Sequence, residues 1–242
     1  MAATIQSTTT PIPLDSRPEH IENILGGLDR YNPETVSVFQ DYVQYQCENK
    51  TYDCLANLAL LKLYQFNPHL TREETITNVL VKALTMFPGP DFSLCLHLLP
   101  PNILDPAISP EPLADAVRKL THLNTLLESA SYREFWNTYE ADDLYADLVA
   151  DCAGFEDTMR DMIALQTGAV AREIRTEVVS GWLNLGEEEL KAFGERLGWK
   201  VEGDVVKLPL NRENEAKTTV FRENVTFNQF QGVVKRAYEQ AA

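Results

Sequence analysis

The sequence predicts a mainly α-helical chain, an α-solenoid or irregular helical bundle that ends in a small winged-helix unit. Three observations carry that prediction. From about residue 19 to residue 167, apolar residues recur at a roughly 3.6-residue period, in segments separated by short turns marked with proline. The densest apolar run, residues 57–68 (NLALLKLYQFNP), stops abruptly at Asn-Pro. After Gly168 the order changes to two helices followed by short β-branched segments, the order of a winged helix.

Residues 1–18, rich in Thr, Pro and Ser, have little to bury and read as a disordered tail. A short helix is expected over 18–28. The next opens at Asn32-Pro33-Glu34, because Asn is a preferred cap, Pro is tolerated at the first helical position and an early Glu suits the dipole. Val36, Phe39, Val43 and Cys47 then form its apolar face.

Residues 52–66 read as the central helix around which the others stack. Leu55, Leu58, Ala59, Leu63 and Phe66 fall at helical spacing, and Leu60, Leu61 and Tyr64 fill the flanks. A helix apolar all round is normally enclosed by neighbours, and Pro68 ends this one. On this reading Leu58, Leu63 and Phe66 hold the core.

Thr71 with Glu74 matches a capping box ahead of Ile76, Val79, Leu80, Ala83, Leu84 and Phe87. Pro88-Gly89-Pro90 stops that helix, and a shorter one carries Phe92, Cys95 and Leu99. Residues 100–112 hold five prolines and form the longest irregular segment of the folded part. Leu113, Val117, Leu120, Leu123 and Leu127 resume the period. Ser131 with Glu134 makes a second capping box before Phe135, Trp136 and Tyr139. The length of the helix pairs resembles HEAT- or TPR-like stacking, although no crisp repeat is visible.

Beyond Gly168 a helix over 169–183 would place Ile174, Val178 and Trp182 on one side. A second, 187–197, ends at Gly198. Residues 205–208 then read as a strand, with 218–221 as its partner across a polar loop. Thr226 with Gln229 caps a last helix carrying Phe227, Phe230, Val234 and Tyr238. The expected division is a tail over 1–18, a helical domain over 19–167 and a winged-helix unit with C-terminal helix over 168–242.

The formal net charge of −15 narrows the function. Residues 187–242 hold 10 acids and 9 bases of the 36 and 21 in the chain, so the acidic excess belongs almost wholly to residues 1–186. Such a field repels phosphate backbones and anionic lipid, and direct nucleic-acid binding is not expected. The helix before the ribbon begins Glu187-Glu188-Glu189, and Lys191, Arg196, Lys200 and Lys207 are too dispersed to form a basic stripe. A protein-binding wing is the better reading.

Cys47, Cys54, Cys95 and Cys152 lack disulfide-framework or zinc spacing and read as reduced, mostly core thiols. The N-terminus lacks the basic and apolar regions of a signal peptide, and no window approaches the ~20 apolar residues of a membrane span. The expected compartment is the cytosol or nucleus, where the Asn49 and Asn224 sequons have no meaning. No catalytic, cofactor or metal residue is assigned. Cys95-x-His97 sits on an apolar helix, Gly26-Gly27 lacks the rest of a phosphate loop, and GxSxG is absent. Asp142, Asp143, Asp147 and Asp151 form a solvated acidic face or a docking site for a basic partner, with Leu144 and Leu148 as its buried side; a hydrolase using these carboxylates is the competing reading.

Several motifs occur together in order: DRYNPE at 29–34, NLALLKLYQFNP at 57–68, KALT at 82–85, DFSLC at 91–95, Phe135-Trp136, GFED at 154–157 and Gly198-Trp199. From about residue 20 onward the chain thereby resembles the family that contains the k subunit of eukaryotic translation initiation factor 3 and small lid-type subunits of the proteasome and COP9 signalosome. Tyr31, Asn32, Pro33, Leu63, Tyr64, Gln65, Phe66, Asn67, Pro68 and Trp136 are the signature residues.

The resemblance implies a HEAT-like domain followed by a PCI-related winged helix. It implies a non-catalytic, cytoplasmic scaffold subunit of initiation factor 3, with the l subunit as direct neighbour and the small ribosomal subunit met through the complex; a proteasome or signalosome lid subunit is the alternative. The Thr/Pro-rich tail and the long 100–112 segment depart from the family pattern. A strand-ended winged helix also offers an edge to another chain's strand. The expected partner surface comprises Glu187, Glu188, Lys191, Val205, Val206, Leu208, Val220 and Phe221.

Overall fold

The computed structural model describes residues 10–11, 17–104, 112–215 and 227–239. Helix dominates them. Part of the expected tail is tied down: β1 (Thr10–Pro11) runs parallel to β2 (Thr51–Tyr52), with Thr10 opposite Thr51. Arg17 then makes a two-toothed ion pair with Asp53, at 2.5 and 2.9 Å. The rest of 1–16 lies outside the described residues.

α1 (Glu19–Gly26) buries Ile21. Asn32 caps the following turn as its type predicts, accepting from the Glu34 amide at 3.1 Å. α2 (Val36–Glu48) buries Val36, Phe39, Val43 and Cys47 in the expected phase. α3 (Cys54–Phe66) starts after Asp53, whose carboxylate accepts from the Ala56 amide, because Tyr52 belongs to β2.

The phase of α3 differs from the expectation. Ala56, Asn57, Ala59, Leu60, Leu61, Leu63 and Tyr64 are buried, Leu58 is half-buried, and Leu55 and Phe66 are 54% and 60% exposed. A helix apolar on every side carries no phase of its own, so its neighbours α1, α2 and α5 (Asp91–Leu96) select the buried face. Asn57 can be inside because its amide pairs with Gln46, at 2.8 and 3.2 Å.

The most enclosed helix is α4 (Glu73–Leu84), which packs on α2, α3, α5, α7 (Pro112–Glu128) and α9 (Asp143–Val149) and has no exposed residue from 78 to 84. Its expected apolar residues are all buried, but it begins after Arg72 with no side-chain cap, so Thr71 and Glu74 form no box. α6 (Pro101–Leu104) precedes residues 105–111, which lie outside the described residues. α7 buries all five expected leucines and valines.

α8 (Tyr132–Ala141) buries Phe135, Trp136 and Tyr139; Ser131 stands at its cap position without a cap bond, its hydroxyl meeting Ser129 instead. On α9 the buried residues are Tyr145 and Val149, while Leu144 is exposed and Leu148 half-buried, because packing on α8 and α4 selects that face.

α10 (Phe155–Val170) runs through Gly168. The helix expected over 169–183 is therefore the end of α10, a strand β3 (Glu173–Arg175) and α11 (Thr176–Leu183). α12 (Glu187–Leu197) stops at Gly198 in the left-handed region, as expected. β4 (Lys200–Glu202) and β5 (Val205–Lys207) join across Gly203-Asp204, with Gly203 supplying a positive φ of 59°.

The sheet order is β3-β5-β4, antiparallel throughout, with Ile174 and Val201 both opposite Val206. The described partners of β5 are thus β3 and β4; residues 218–221, and the expected cap at Thr226, lie outside the described residues. α13 (Phe227–Glu239) follows.

Candidate interaction surface

α11 and α12, on which the sheet packs, are held against α8 and α10 by directional contacts. Trp136 Nε1 donates to the Trp182 carbonyl at 2.8 Å, and Tyr132 meets the Trp182 ring edge-on at 5.7 Å. Arg160 donates through Nε to the Leu183 carbonyl at 3.1 Å while its guanidinium lies 5.0 Å over Trp136. Asp161, buried on α10, pairs with Arg196 of α12. Asn211 and Asn214 both donate to the Gly168 carbonyl, at 2.7 and 3.0 Å. α10 is shared by both halves, so the outward face of α12 and the sheet has a fixed orientation.

On that face Glu187, Glu188 and Glu189 are exposed at the positive end of the α12 dipole, and Glu189 accepts from the Gly186 amide at 3.1 Å. Lys191 is exposed and pairs with Glu188 at 3.1 Å. The inner side of α12 buries Leu190, Gly194 and Leu197; a Cβ on Gly194 would stand 3.4 Å from that of Trp199. Among the described residues, β4 and β3 are the sheet's two edges. The exposed Lys207 donates to Glu202 across the β4–β5 turn at 2.6 Å, which holds the Glu202 carboxyl below its ordinary range and the lysine above its own.

The expected contact residues separate accordingly. Glu187, Glu188 and Lys191 share the exposed face, and Val205 is half-buried. Val206, on the central strand β5, and Leu208, just after it, are core residues, 0% and 6% exposed; they support the sheet and present no edge. Val220 and Phe221 lie outside the described residues.

Two features lie beyond the expected contact residues: the edge that β4 presents among the described residues, and α13, which is exposed on every described side. Phe227, Phe230, Val234 and Tyr238 are 78%, 60%, 38% and 77% exposed. Their spacing was legible, but such spacing normally marks a buried face.

Among the signature residues, Leu63, Tyr64 and Trp136 are buried, and the Tyr64 hydroxyl accepts from Gln40 at 2.7 Å. Asn67 closes α3 by donating from its side chain to Leu63 O, and Pro68 opens a single 3-10 turn. Tyr31, Pro33, Gln65 and Phe66 are exposed and Asn32 is half-buried at its cap. The four carboxylates are engaged separately. Asp142 pairs with Lys119 at 2.9 Å, which lowers its proton affinity, Asp151 accepts from Asn78, and Asp143 and Asp147 face solvent. Cys95 is buried while His97 is exposed on the Ser93 carbonyl. Among the described residues no group of three His, Cys, Asp or Glu could hold a metal ion, and no helix is long and apolar enough to cross a membrane.

A model of the CSN8/PSMD8/EIF3K family matches residues 70–220, well over half of the chain. The chain belongs to the CSN8/PSMD8/EIF3K family. Its similarity to individual relatives is nearly end to end. It is 58% identical to the eukaryotic translation initiation factor 3 subunit K of Botryotinia fuckeliana, over 96% of this chain and 99% of that one. It is 57% identical to the protein of that name in Phaeosphaeria nodorum, over 93% and 96% of the two chains. For Aspergillus fumigatus the identity is 54%, over 94% and 97%. The CSN8/PSMD8/EIF3K match covers α4, the shared α10, the sheet and α12; the 57–68 motif lies just upstream of it.

Proposed function

We propose that this chain is a non-catalytic scaffold subunit of eukaryotic translation initiation factor 3, working in the cytoplasm. The observation that carries the reading is identity of 54–58% over nearly the whole of both chains to proteins named as subunit K of that factor. The family also spans signalosome and proteasome subunits, but the full-length relatives favour the initiation factor over a lid assembly. In this reading residues 19–167 form a HEAT-like array and 168–242 a PCI-related winged helix. The strand–helix–helix–strand–strand order with sheet order β3-β5-β4 supports the second assignment.

The partners are other subunits of the factor, with the l subunit as direct neighbour. The small ribosomal subunit is reached through the complex and not by direct RNA contact, which the net charge of −15 disfavours. The partner surface consists of the exposed α12 face at Glu187, Glu188 and Lys191, the β4 edge and the apolar face of α13. A strand edge left unpaired among the described residues recruits another strand, and an apolar helix face recruits a groove.

Co-purification tests both the assembly and the surface. The unaltered chain is expected to recover initiation factor 3 subunits; recovery of proteasome or signalosome chains in their place would overturn the assignment. A triple variant, Glu187→Lys, Glu188→Lys and Lys191→Glu, and a second, Phe230→Asp with Val234→Asp, should each lose those subunits while keeping the helical circular dichroism. Retention by both variants would refute the surface and leave the assembly standing.

A further inference from the structure

Cys47, at the end of α2, and Cys152, in the connector between α9 and α10, are 105 positions apart in sequence. In the fold the Cys152 thiol donates to the Cys47 sulfur, with the two sulfurs 3.4 Å apart. The backbones are joined as well, since the Ala153 amide donates to the Cys47 carbonyl at 3.1 Å. A disulfide needs a further approach of about 1.4 Å, within side-chain reach when the main chains are already hydrogen-bonded.

The pair has a charged neighbour. Lys82 of α4 is 3% exposed and makes no side-chain hydrogen bond or ion pair among the described residues. Burial lowers its proton affinity, and the groups that restore part of it are Cys152 and Cys47. The hydrogen bond from Cys152 and the field of Lys82 favour a thiolate at Cys47; burial and the carboxylates of Asp151 and Glu48 oppose it. Cys54 and Cys95 are placed oppositely, beside Asp91, and burial pushes the Cys95 thiol up to about 12. Access is on the Cys152 side: Cys152 lines an open cavity of about 360 Å³, with Tyr139, Val149, Gly154 and Glu156, and the fully buried Cys47 sulfur is reached past it, 3.4 Å further in.

We propose that Cys47 and Cys152 form an oxidisable site at which hydrogen peroxide entering by this cavity links the two thiols. The Cys47 thiolate attacks the peroxide oxygen, the O–O bond breaks, and the leaving hydroxide takes a proton, giving a sulfenic acid and water. Cys152 sulfur then attacks Cys47 sulfur, the S–O bond breaks, and the expelled hydroxide takes the Cys152 proton as a second water. Two thiols lose two electrons and two protons in all, and the hydrogen peroxide is reduced. The bond staples the end of α2 to the start of α10.

The full-length chain treated with a small excess of hydrogen peroxide, then alkylated and digested, should yield a Cys47–Cys152 linked peptide. Cys54 and Cys95 should remain alkylated, and dithiothreitol should reverse the link. Oxidation of Cys54, the most accessible of the four thiols, with Cys47 and Cys152 still alkylated, would overturn the proposal. Lys82→Met, nearly isosteric, should slow the linkage about tenfold or more by removing the cation that favours thiolate; an unchanged rate would refute that role. Cys152→Ser should leave a Cys47 sulfenic acid that dimedone captures, and failure to trap it would count against the order of steps. Circular dichroism confirms folding of each variant, and the result on the unaltered chain stands without them.

Discussion

Arg17 and Asp53 meet with side chains only 4% and 2% exposed. The Asp53 carboxylate also accepts from the Ala56 amide and lies 3.3 Å from the Tyr42 hydroxyl, so it organises the start of α3. Arg17→Ala leaves that carboxylate buried and unpaired and should cost about 3–5 kcal/mol in urea unfolding; Arg17→Ala with Asp53→Asn should cost less. Titration supplies a second prediction. Burial pushes both the Tyr139 hydroxyl and the Cys95 thiol up to about 12, from ordinary values of 10.0 and 9.0. The folded chain therefore keeps protons that the unfolded chain releases. The stability these groups contribute is complete below about pH 9 and is lost as pH rises toward 12. Tyr139→Phe and Cys95→Ala should each flatten the fall of the urea midpoint over that range. The Arg17 contact was illegible because it joins a Thr/Pro-rich segment to a residue 36 positions away.

At the scale of single elements, α3 shows how pattern and packing divide the work. Its helical state and its stop at Asn67-Pro68 follow from local residues, and both were readable. Its buried face was not, because Leu55, Leu58, Leu60, Leu61, Leu63 and Phe66 surround the axis. Leu63→Ala should cost about 2–5 kcal/mol. Phe66→Ala, at a 60% exposed site where Lys62 lies 4.8 Å over the ring, should cost within about 0.5 kcal/mol. Caps divide in the same way. Asn32→Ala should cost about 1 kcal/mol, whereas Thr71→Ala should be nearly neutral since Thr71 makes no cap; thermal midpoints distinguish the two. β3 escaped the sequence reading because Ile174, Val178 and Trp182 are spaced as on a helix. Three residues are too few to show strand alternation, and only pairing with β5 makes them a strand.

For the molecule as a whole, the consequential feature is the joint on α10. Gly168 marked a change of pattern, yet the helix continues to Val170 and carries Arg160 and Asp161 to the second half. Arg160→Ala removes the donor to Leu183 and the cation over Trp136. Amide exchange should accelerate over residues 176–185 while α4 and α7 keep their protection; uniform acceleration would show a general loss of stability instead. The joint was legible in its parts, since Trp136 and Trp182 both read as apolar-face residues. Their meeting was not, because 46 positions separate them.

Local residue order fixes the helical class, the buried faces of α2, α4 and α7, the stop of α12 at Gly198, the acidic balance and the family. Each is local or additive: a period along one helix, a residue's backbone preference, a count of charges, or a string of motifs. Packing of the whole chain selects which side of α3 faces inward, places β5 between β3 and β4, leaves the apolar face of α13 exposed and brings Cys47 to Cys152. Those outcomes depend on contacts between segments tens of residues apart. Alternative arrangements there satisfy the same local preferences, and packing and backbone pairing select among them.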